Sequence, residues 1–327
     1  MKVLVTGSSG HLGEALMRTL RNMHHEAIGL DIIQADFTNK VGSISDRDFV
    51  KQCMAGVDAV LHTATLHKPH VMTHSRQSFA DTNITGTLTL LEAATLAGVG
   101  AFVLTSTTSA FGGALQPPAE GPAVWVTEEV QPVPRNIYGV TKAAAEDLCE
   151  LFHRQHRLAC LVLRTARFFP EEDDHAETRQ AYDDGNIKAN EFLYRRVDLE
   201  DVVSAHLLAI EKAPAIGFGR YIVSATTPLT QDDLFDVRAN APLVLKRRVP
   251  EYEAEYARRG WKMFPSIDRV YVNARARNEL GWSPRYDFRS VLDLLRAGEE
   301  PRSPLARFVG SKGYHARTFT EGPYPTA

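Results

Sequence analysis

Met1-Lys2-Val3-Leu4-Val5-Thr6-Gly7-Ser8-Ser9-Gly10-His11-Leu12-Gly13 is the stretch whose reading decides the fold. An apolar, β-branched run over 3–6 goes straight into a turn with glycines at 7, 10 and 13. Leu12, Leu16 and Leu20 then recur at helical spacing over 12–23. A turn this tight needs positive φ at some positions, which glycine supplies at little steric cost. Without side chains there, the backbone at a helix start can approach a pyrophosphate. A spaced glycine triplet alone is a weak signal, and the strand before it and helix after it supply the context it needs. The competing reading is a glycine-rich connection that holds nothing. Asp31 closes the next strand, 27–31. A carboxylate there accepts hydrogen bonds from a ribose and repels a 2′-phosphate, which favours NAD over NADP. Lys40 and Arg47 downstream are the counter-indication.

Outward from this turn, strands and helices alternate. Strands are expected at 59–62, 101–105 and 159–163, and helices at 48–55, 82–97 and 138–153. That alternation predicts an α/β fold, a Rossmann-like doubly wound parallel sheet, with a smaller C-terminal α/β substrate lobe. The pattern changes after Pro170, where acidic stretches at 171–174 and 183–185 read as a loop or short cap. Strand-to-helix character resumes over 196–210, and 220–224 reads as a strand. The expected partition is a nucleotide-binding domain over 1–168, to which 196–225 returns, and a substrate-binding lobe from 169–195 and 226–327. The last stretch, 310–327, is read as a tail that either wraps the lobe or is partly mobile.

With 37 basic against 40 acidic residues, the net charge is −3 and the pI about 6.5. Such a balance argues against a nucleic-acid partner held by phosphate contacts and against a polybasic membrane patch. At 327 residues the chain buries enough surface to fold without disulfides. Cys53, Cys149 and Cys160 are odd in number and form no C-x-x-C clip, so a reducing, cytoplasmic setting is expected. The N-terminus turns too soon for a signal peptide, and no apolar run is long enough to span a bilayer.

Tyr138 and Lys142 lie four residues apart and share one helix face. A nearby ammonium favours the phenolate, so Tyr138 is expected to be an acid/base near neutrality. Thr105-Ser106-Thr107-Thr108-Ser109 ends the strand before it, and parallel sheets bind ligands beyond the carboxyl ends of their strands.

Together these residues resemble the extended short-chain dehydrogenase/reductases, in their NAD-dependent sugar epimerase/dehydratase branch. Gly7, Gly10 and Gly13 match the Gly-x-x-Gly-x-x-Gly turn. Leu61-His62-Thr63-Ala64 resembles the cofactor-lining loop, and Asn83-Ile84-Thr85-Gly86-Thr87 the helix whose Asn braces the site. Thr107 falls at the catalytic Ser/Thr, with Ala110-Phe111-Gly112 in place of Val-Tyr-Gly. Tyr138 and Lys142 match Tyr-x-x-x-Lys. Residues 196–203 resemble the His-Val-Asp-Asp-Val segment, and Leu280-Gly281-Trp282-Ser283-Pro284 the Leu-Gly-Trp-x-Pro turn.

The resemblance implies NAD as cofactor, with Gly7, Ser9, Gly10, His11, Leu12, Gly13, Asp31, Ser43, Ile44, His62, Thr63, Ala64, Asn83, Thr105, Tyr138 and Lys142 lining it. Thr107, Tyr138 and Lys142 are then catalytic. A homodimer through the helices beginning near Thr82 and Tyr138 is expected; a monomeric mass in light scattering would refute it.

Several positions depart from the family pattern. Thr108 and Ser109 stand where dehydratases carry an Asp-Glu pair, so dehydration is not expected. Ser43 replaces the aspartate that touches adenine. Arg167 replaces the Asn that holds a diphosphate, and the 169–195 stretch is short for wrapping a nucleotide. A sugar, nucleotide sugar, sugar acid or other secondary alcohol all remain candidates, with His67, Thr108, Arg167 and Arg196 as substrate contacts. Arg164, Arg167, Arg195 and Arg196 can clamp an anion or pair with the acids at 171–174. His62, His67, His70 and His74 lack the partners of a metal site, so no metal is expected. Tyr252, Tyr256, Trp261 and Phe264 read as core. The leading expectation is an NAD-dependent epimerase. The alternatives are a dehydrogenase of a small sugar or other secondary alcohol, and a non-catalytic NAD-binding regulator.

Overall fold

A computed structural model describes residues 1–315, 319 and 322–325. The strands are β1 (Lys2–Thr6), β2 (Glu26–Asp31), β3 (Lys40–Val41), β4 (Ala59–His62), β5 (Ala101–Thr107), β6 (Val124–Val126), β7 (Cys160–Thr165), β8 (Phe218–Val223) and β9 (Arg269–Tyr271). Helices α1 (His11–Asn22), α2 (Arg47–Cys53), α3 (Arg76–Phe79), α4 (Gly86–Ala97), α5 (Ile137–His156), α6 (Ala176–Ala181) and α7 (Asp184–Glu191) connect the first part. Then follow α8 (Leu199–Ile216), α9 (Leu234–Arg248), α10 (Tyr252–Arg259), α11 (Ala274–Leu280), α12 (Phe288–Arg296) and α13 (Pro304–Val309).

Seven strands form one parallel sheet in the order β3-β2-β1-β4-β5-β7-β8. The order reverses between β1 and β4, which opens a crevice above their carboxyl ends. Both faces are covered, as a parallel sheet requires. Val3, Val5, Leu61 and Leu161 pack with α1 and α8 on one face; Leu4, Val60, Phe102 and Cys160 pack with α4 and α5 on the other. The strands therefore read as continuous apolar runs, and the expected doubly wound sheet is present.

A third core gathers Ala189, Leu193, Val237, Leu245, Tyr256, Val270, Phe288 and Leu292 beside the sheet. Tyr252 and Tyr256 belong to it, and Trp261 packs on Tyr256 with ring centroids 5.6 Å apart. Phe264 sits edge-on to Tyr182 at 5.1 Å. Ala276, Leu280 and Trp282, although late in sequence, pack with the main sheet instead, where the Trp282 indole N–H donates to Ser204 Oγ at 2.9 Å.

Three local departures from expectation have physical causes. The acidic stretch after Pro170 is not all loop: Asp184 begins α7, whose buried face holds Asn186, Ile187, Asn190 and Glu191. A mixed polar face hid the helical period. The helix expected over 82–97 starts as a π-helical turn, Ala80–Thr85, before regular α4. Such turns occur where a side chain is re-aimed at a site, and here the re-aimed residue is Asn83. Strands β3, β6 and β9 are two or three residues long and carry no periodic signal. Of the tail, 316–318, 320, 321, 326 and 327 lie outside the described residues.

Candidate active site

The glycine turn is built by close approach. Gly7 has φ +73°, and a Cβ there would lie 2.7 Å from the Ala64 nitrogen. A Cβ on Gly13 would lie 1.9 Å from the Gly7 carbonyl oxygen, so α1 can sit against the turn only without one. At Gly10 an added Cβ meets nothing nearer than 3.4 Å, which leaves that backbone bare. The start of α1 receives no side-chain cap, so its first N–H groups have no side-chain partner, as at the helix N-termini that hold anions. Asp31 is held beside the turn: its carboxylate accepts from Ser9 N–H at 3.0 Å, Ser9 Oγ–H at 2.7 Å and Ile33 N–H at 3.0 Å. These features fit NAD: the glycine backbone would hold the pyrophosphate and Asp31 a ribose. Asp31→Ala is expected to weaken NAD binding about tenfold or more, the scale of a charge-assisted hydrogen bond. It should also narrow the gap to NADP. Titration of both nucleotides by protein fluorescence checks it, and an unchanged NAD/NADP ratio would count against the role.

Several other expected cofactor residues make contacts within the protein. Leu12 is buried in the core beneath the sheet. Ile44 packs under Gly86, where a Cβ would lie 2.5 Å from its Cδ1. Ser43 Oγ accepts from Ser45 N–H at 3.1 Å and so closes its own turn. Thr63 Oγ–H donates to the Thr6 carbonyl at 2.7 Å. His62 uses both ring nitrogens: Nδ1 lies 2.8 Å from Thr6 Oγ1, and Nε2 lies 2.9 Å from Thr87 Oγ1. Burial and the Lys142 charge push its pKa down to about 3, so it is neutral. It pins β4 between β1 and α4, a role that Leu61-His62-Thr63-Ala64 did not announce.

Asn83 has every hydrogen-bonding atom placed. Its Oδ1 accepts from Thr65 Oγ1–H and Leu66 N–H, both at 2.9 Å. Its amide nitrogen donates to the Leu66 carbonyl at 2.8 Å and to Thr141 Oγ1 at 2.9 Å. Thr141 sits on α5 between Tyr138 and Lys142, so Asn83 ties the loop after β4 to the helix that carries them. Sequence reasoning found Asn83 and missed Thr141.

Asn136 caps α5, accepting from Gly139 N–H at 3.0 Å, and so sets where Tyr138 enters the crevice. Tyr138, Thr107 and Lys142 converge there. The Thr107 hydroxyl lies near enough to the Tyr138 phenol to pull its pKa down, and it accepts from Ser109 N–H at 3.0 Å. Lys142 Nζ donates to the Thr105 carbonyl at 2.6 Å. The hydroxyl of Thr105 turns away to His206 Nε2, 2.8 Å distant. The Thr108 hydroxyl points to the Thr165 carbonyl at 3.4 Å.

The electrostatics correct one expectation. Burial pushes the Tyr138 phenol up to about 12, against the lowering pull of Thr107. The lysine does not bring it near neutrality, because desolvation dominates and the ammonium is directed at Thr105. Lys142 is itself pushed down to about 8 by burial, with Glu146 opposing. Glu146 lies one turn further along α5 and is fully buried. It accepts from Ser106 Oγ–H at 2.5 Å and from Arg164, whose Nη2 and Nε donate to Oε2 at 2.7 and 3.0 Å while Nε also reaches Oε1 at 3.2 Å. This pair sits directly behind Thr105 and Thr107. Its sequence signal was the position of Glu146 on the Tyr138–Lys142 face.

The four candidate substrate residues separate. His67 borders Tyr138, with ring centroids 6.5 Å apart, and stacks on Phe169 at 5.6 Å. Burial and its neighbours push its pKa down to about 3. Arg167 is ion-paired to Asp173 at 2.9 Å and Asp174 at 3.5 Å. Arg196 is buried on Glu191 at 2.7 Å, and Arg195 reaches the same carboxylate at 2.7 Å. Of the two readings of the arginines, pairing is the one seen, and it is internal rather than superficial. Phe169 and Glu171 also line this side and carried no motif signal.

Residues 3–223 match the NAD dependent epimerase/dehydratase family. A UDP-glucose 4-epimerase of Streptomyces lividans is 26% identical, covering 89% of this chain and 94% of that protein. A dTDP-glucose 4,6-dehydratase of Streptomyces niveus is 30% identical, covering 88% and 89%. In fold, the chain resembles a short-chain dehydrogenase/reductase superfamily protein from Agrobacterium tumefaciens solved with bound NAD. The TM-score is 0.65 at 23% identity, covering 94% of this chain and 99% of that one. No described helix is long and apolar enough to cross a membrane.

Proposed function

The chain belongs to the NAD-dependent epimerase/dehydratase family, and from that premise we propose that it is an oxidoreductase of the epimerase type, acting at a secondary alcohol or carbonyl of a sugar-like substrate. The observation that carries this reading is the convergence of Thr107, Tyr138 and Lys142 above β5, beside the glycine turn.

NAD, when bound, supplies the hydride acceptor and donor. The backbone at Gly7, Ser9 and Gly10 and the Asp31 carboxylate would hold its pyrophosphate and adenosine ribose. Lys142 would hold the nicotinamide ribose. Tyr138 has its pKa near 12 and therefore rests as an acid, placed to protonate a carbonyl oxygen and to take the proton back from the alcohol. Thr107 stands beside the phenol and would share the same substrate oxygen. Thr108 and Ser109 follow it as hydroxyls, and a hydroxyl cannot supply the acid and base of water elimination. That supports epimerisation or dehydrogenation over dehydration, although one relative carries a dehydratase name.

Purified protein is expected to release NAD on denaturation at close to one equivalent per chain, read by absorbance. A cofactor retained in this way keeps the hydride for return to the opposite face, which is epimerisation. Protein that purifies free of nucleotide and turns over only with added NAD would replace this reading with net dehydrogenation.

A further inference from the structure

The segment after α13 folds back over the crevice. Ser311 Oγ–H donates to Glu171 Oε1 at 2.7 Å, and the Tyr314 hydroxyl donates to Glu171 Oε2 at 3.1 Å. The Lys312 backbone nitrogen lies 2.9 Å from His11 Nε2, and its ammonium pairs with Glu14 on the first turn of α1. On the other rim, His70 Nδ1 accepts from His67 N–H at 3.1 Å, which leaves Nε2–H to donate to the Tyr314 carbonyl at 2.9 Å. His315 Nε2 lies 3.0 Å from the Pro69 carbonyl oxygen. The segment thus joins the start of α1, the loop after β7 and the loop after β4, three borders of one crevice.

The ring of Tyr314 completes an aromatic group. It stands edge-on to His67 at 4.9 Å and to Phe169 at 5.6 Å, while His67 stacks on Phe169. His67 is the ring that borders Tyr138. The polar surroundings are poor in free positive charge. Arg167, Arg195 and Arg196 are engaged by Asp173, Asp174 and Glu191, and Lys68 by Asp174. Glu171 adds a carboxylate that accepts from Ser311 and Tyr314; burial raises its pKa, but the adjacent His11 and the Ser311 hydrogen bond outweigh this and hold it down to about 2, so it is ionised. A diphosphate needs cations that are not already paired, and beside Glu171 it meets repulsion.

We propose that Tyr314 is a specificity-determining residue of this site: with His67 and Phe169 it forms a wall that admits a compact, uncharged polyhydroxylated substrate and excludes one carrying a nucleoside diphosphate. The inference rests on the Thr107–Tyr138–Lys142 reading and narrows its substrate class.

The test uses the full chain with UDP-glucose as the large, charged probe and free sugars and polyols as the compact ones. Calorimetry is expected to show that Tyr314→Ala binds UDP-glucose at least about tenfold more tightly than the wild-type chain. The ratio of kcat/KM for nucleotide-linked over free sugars should rise by a similar factor. Tyr314→Phe, which keeps the ring, should retain the exclusion, and NAD affinity should stay at its wild-type value in both. The proposal is overturned if the wild-type chain binds UDP-glucose as tightly as Tyr314→Ala. It is equally overturned if Tyr314→Ala lowers all substrates in parallel, or if Tyr314→Phe opens the site as Ala does. The probe-binding comparison needs no turnover, so it stands apart from any failure of the catalytic reading, which Tyr138→Phe reports.

Discussion

Replacing Tyr138 by Phe is expected to lower turnover by about 10²–10⁴-fold, the range for removing a positioned general acid/base. NAD affinity should be nearly unchanged. The phenol hydroxyl is the atom that faces Thr107, while the ring remains packed where it was. The substitution therefore removes a proton carrier without opening a cavity. Because the phenol rests near pKa 12, it stays protonated across the working range. The pH dependence of carbonyl reduction should then follow Lys142. Burial lowers its pKa to about 8, so its charge is present below that pH and is lost as pH rises through it. The rate should be level through neutrality and fall above about pH 8. A Tyr138→Phe chain with wild-type turnover would remove the catalytic assignment, and a rate that climbs steadily through pH 8 to 10 would remove the role given to Lys142.

How much of this was legible beforehand depends on range. The glycine turn, Asp31, Asn83, Thr107 and the Tyr138–Lys142 pair are local patterns on regular elements, and their types and spacing carry their chemistry. His62 illustrates the opposite case. Its motif suggested a residue beside the cofactor, yet both nitrogens are taken by Thr6 and Thr87, residues 56 and 25 positions away. No window of sequence contains that triad. Arg167 and Arg196 differ, since their partners lie only six and five positions away. Their charge left an anion clamp open, but the loop after β7 places Asp173 on Arg167, and the end of α7, whose helical period was masked by polar residues, places Glu191 on Arg196. The acidic stretch after Pro170 was visible both as charge and as one candidate partner of those arginines, whereas Glu191 was not. Tyr314 is more remote still, since it reaches His67 only because the chain doubles back after α13. Burial also reversed the direction expected for the Tyr138 pKa. A helical i, i+4 spacing fixes proximity to Lys142, whereas desolvation depends on everything packed around the phenol.

Glu146→Ala is expected to be the most damaging substitution for stability among the residues behind the site. Glu146 is buried with Arg164, holds Ser106 and lies within 3.3 Å of Arg220 Nε. Removing one partner of a buried pair leaves an uncompensated charge, at a cost of about 3–5 kcal/mol. For a chain of this length that corresponds to a fall in Tm of roughly 5–7 °C by scanning calorimetry. The loss should also reach the chemistry through β5. Ser106 holds the strand end between Thr105, which receives the lysine, and Thr107, which receives the phenol. Glu146→Gln separates the two effects, because an amide can still accept from Ser106 while carrying no charge. Its cavity and hydrogen bond are kept, so the larger part of the catalytic geometry should survive. The Lys142 ammonium, however, loses the nearest group that raises its pKa. The fall in rate above about pH 8 should therefore begin at lower pH in Glu146→Gln than in the wild-type chain. If Glu146→Gln instead loses stability with an unmoved pH profile, the carboxylate supports only the fold and not the lysine's charge.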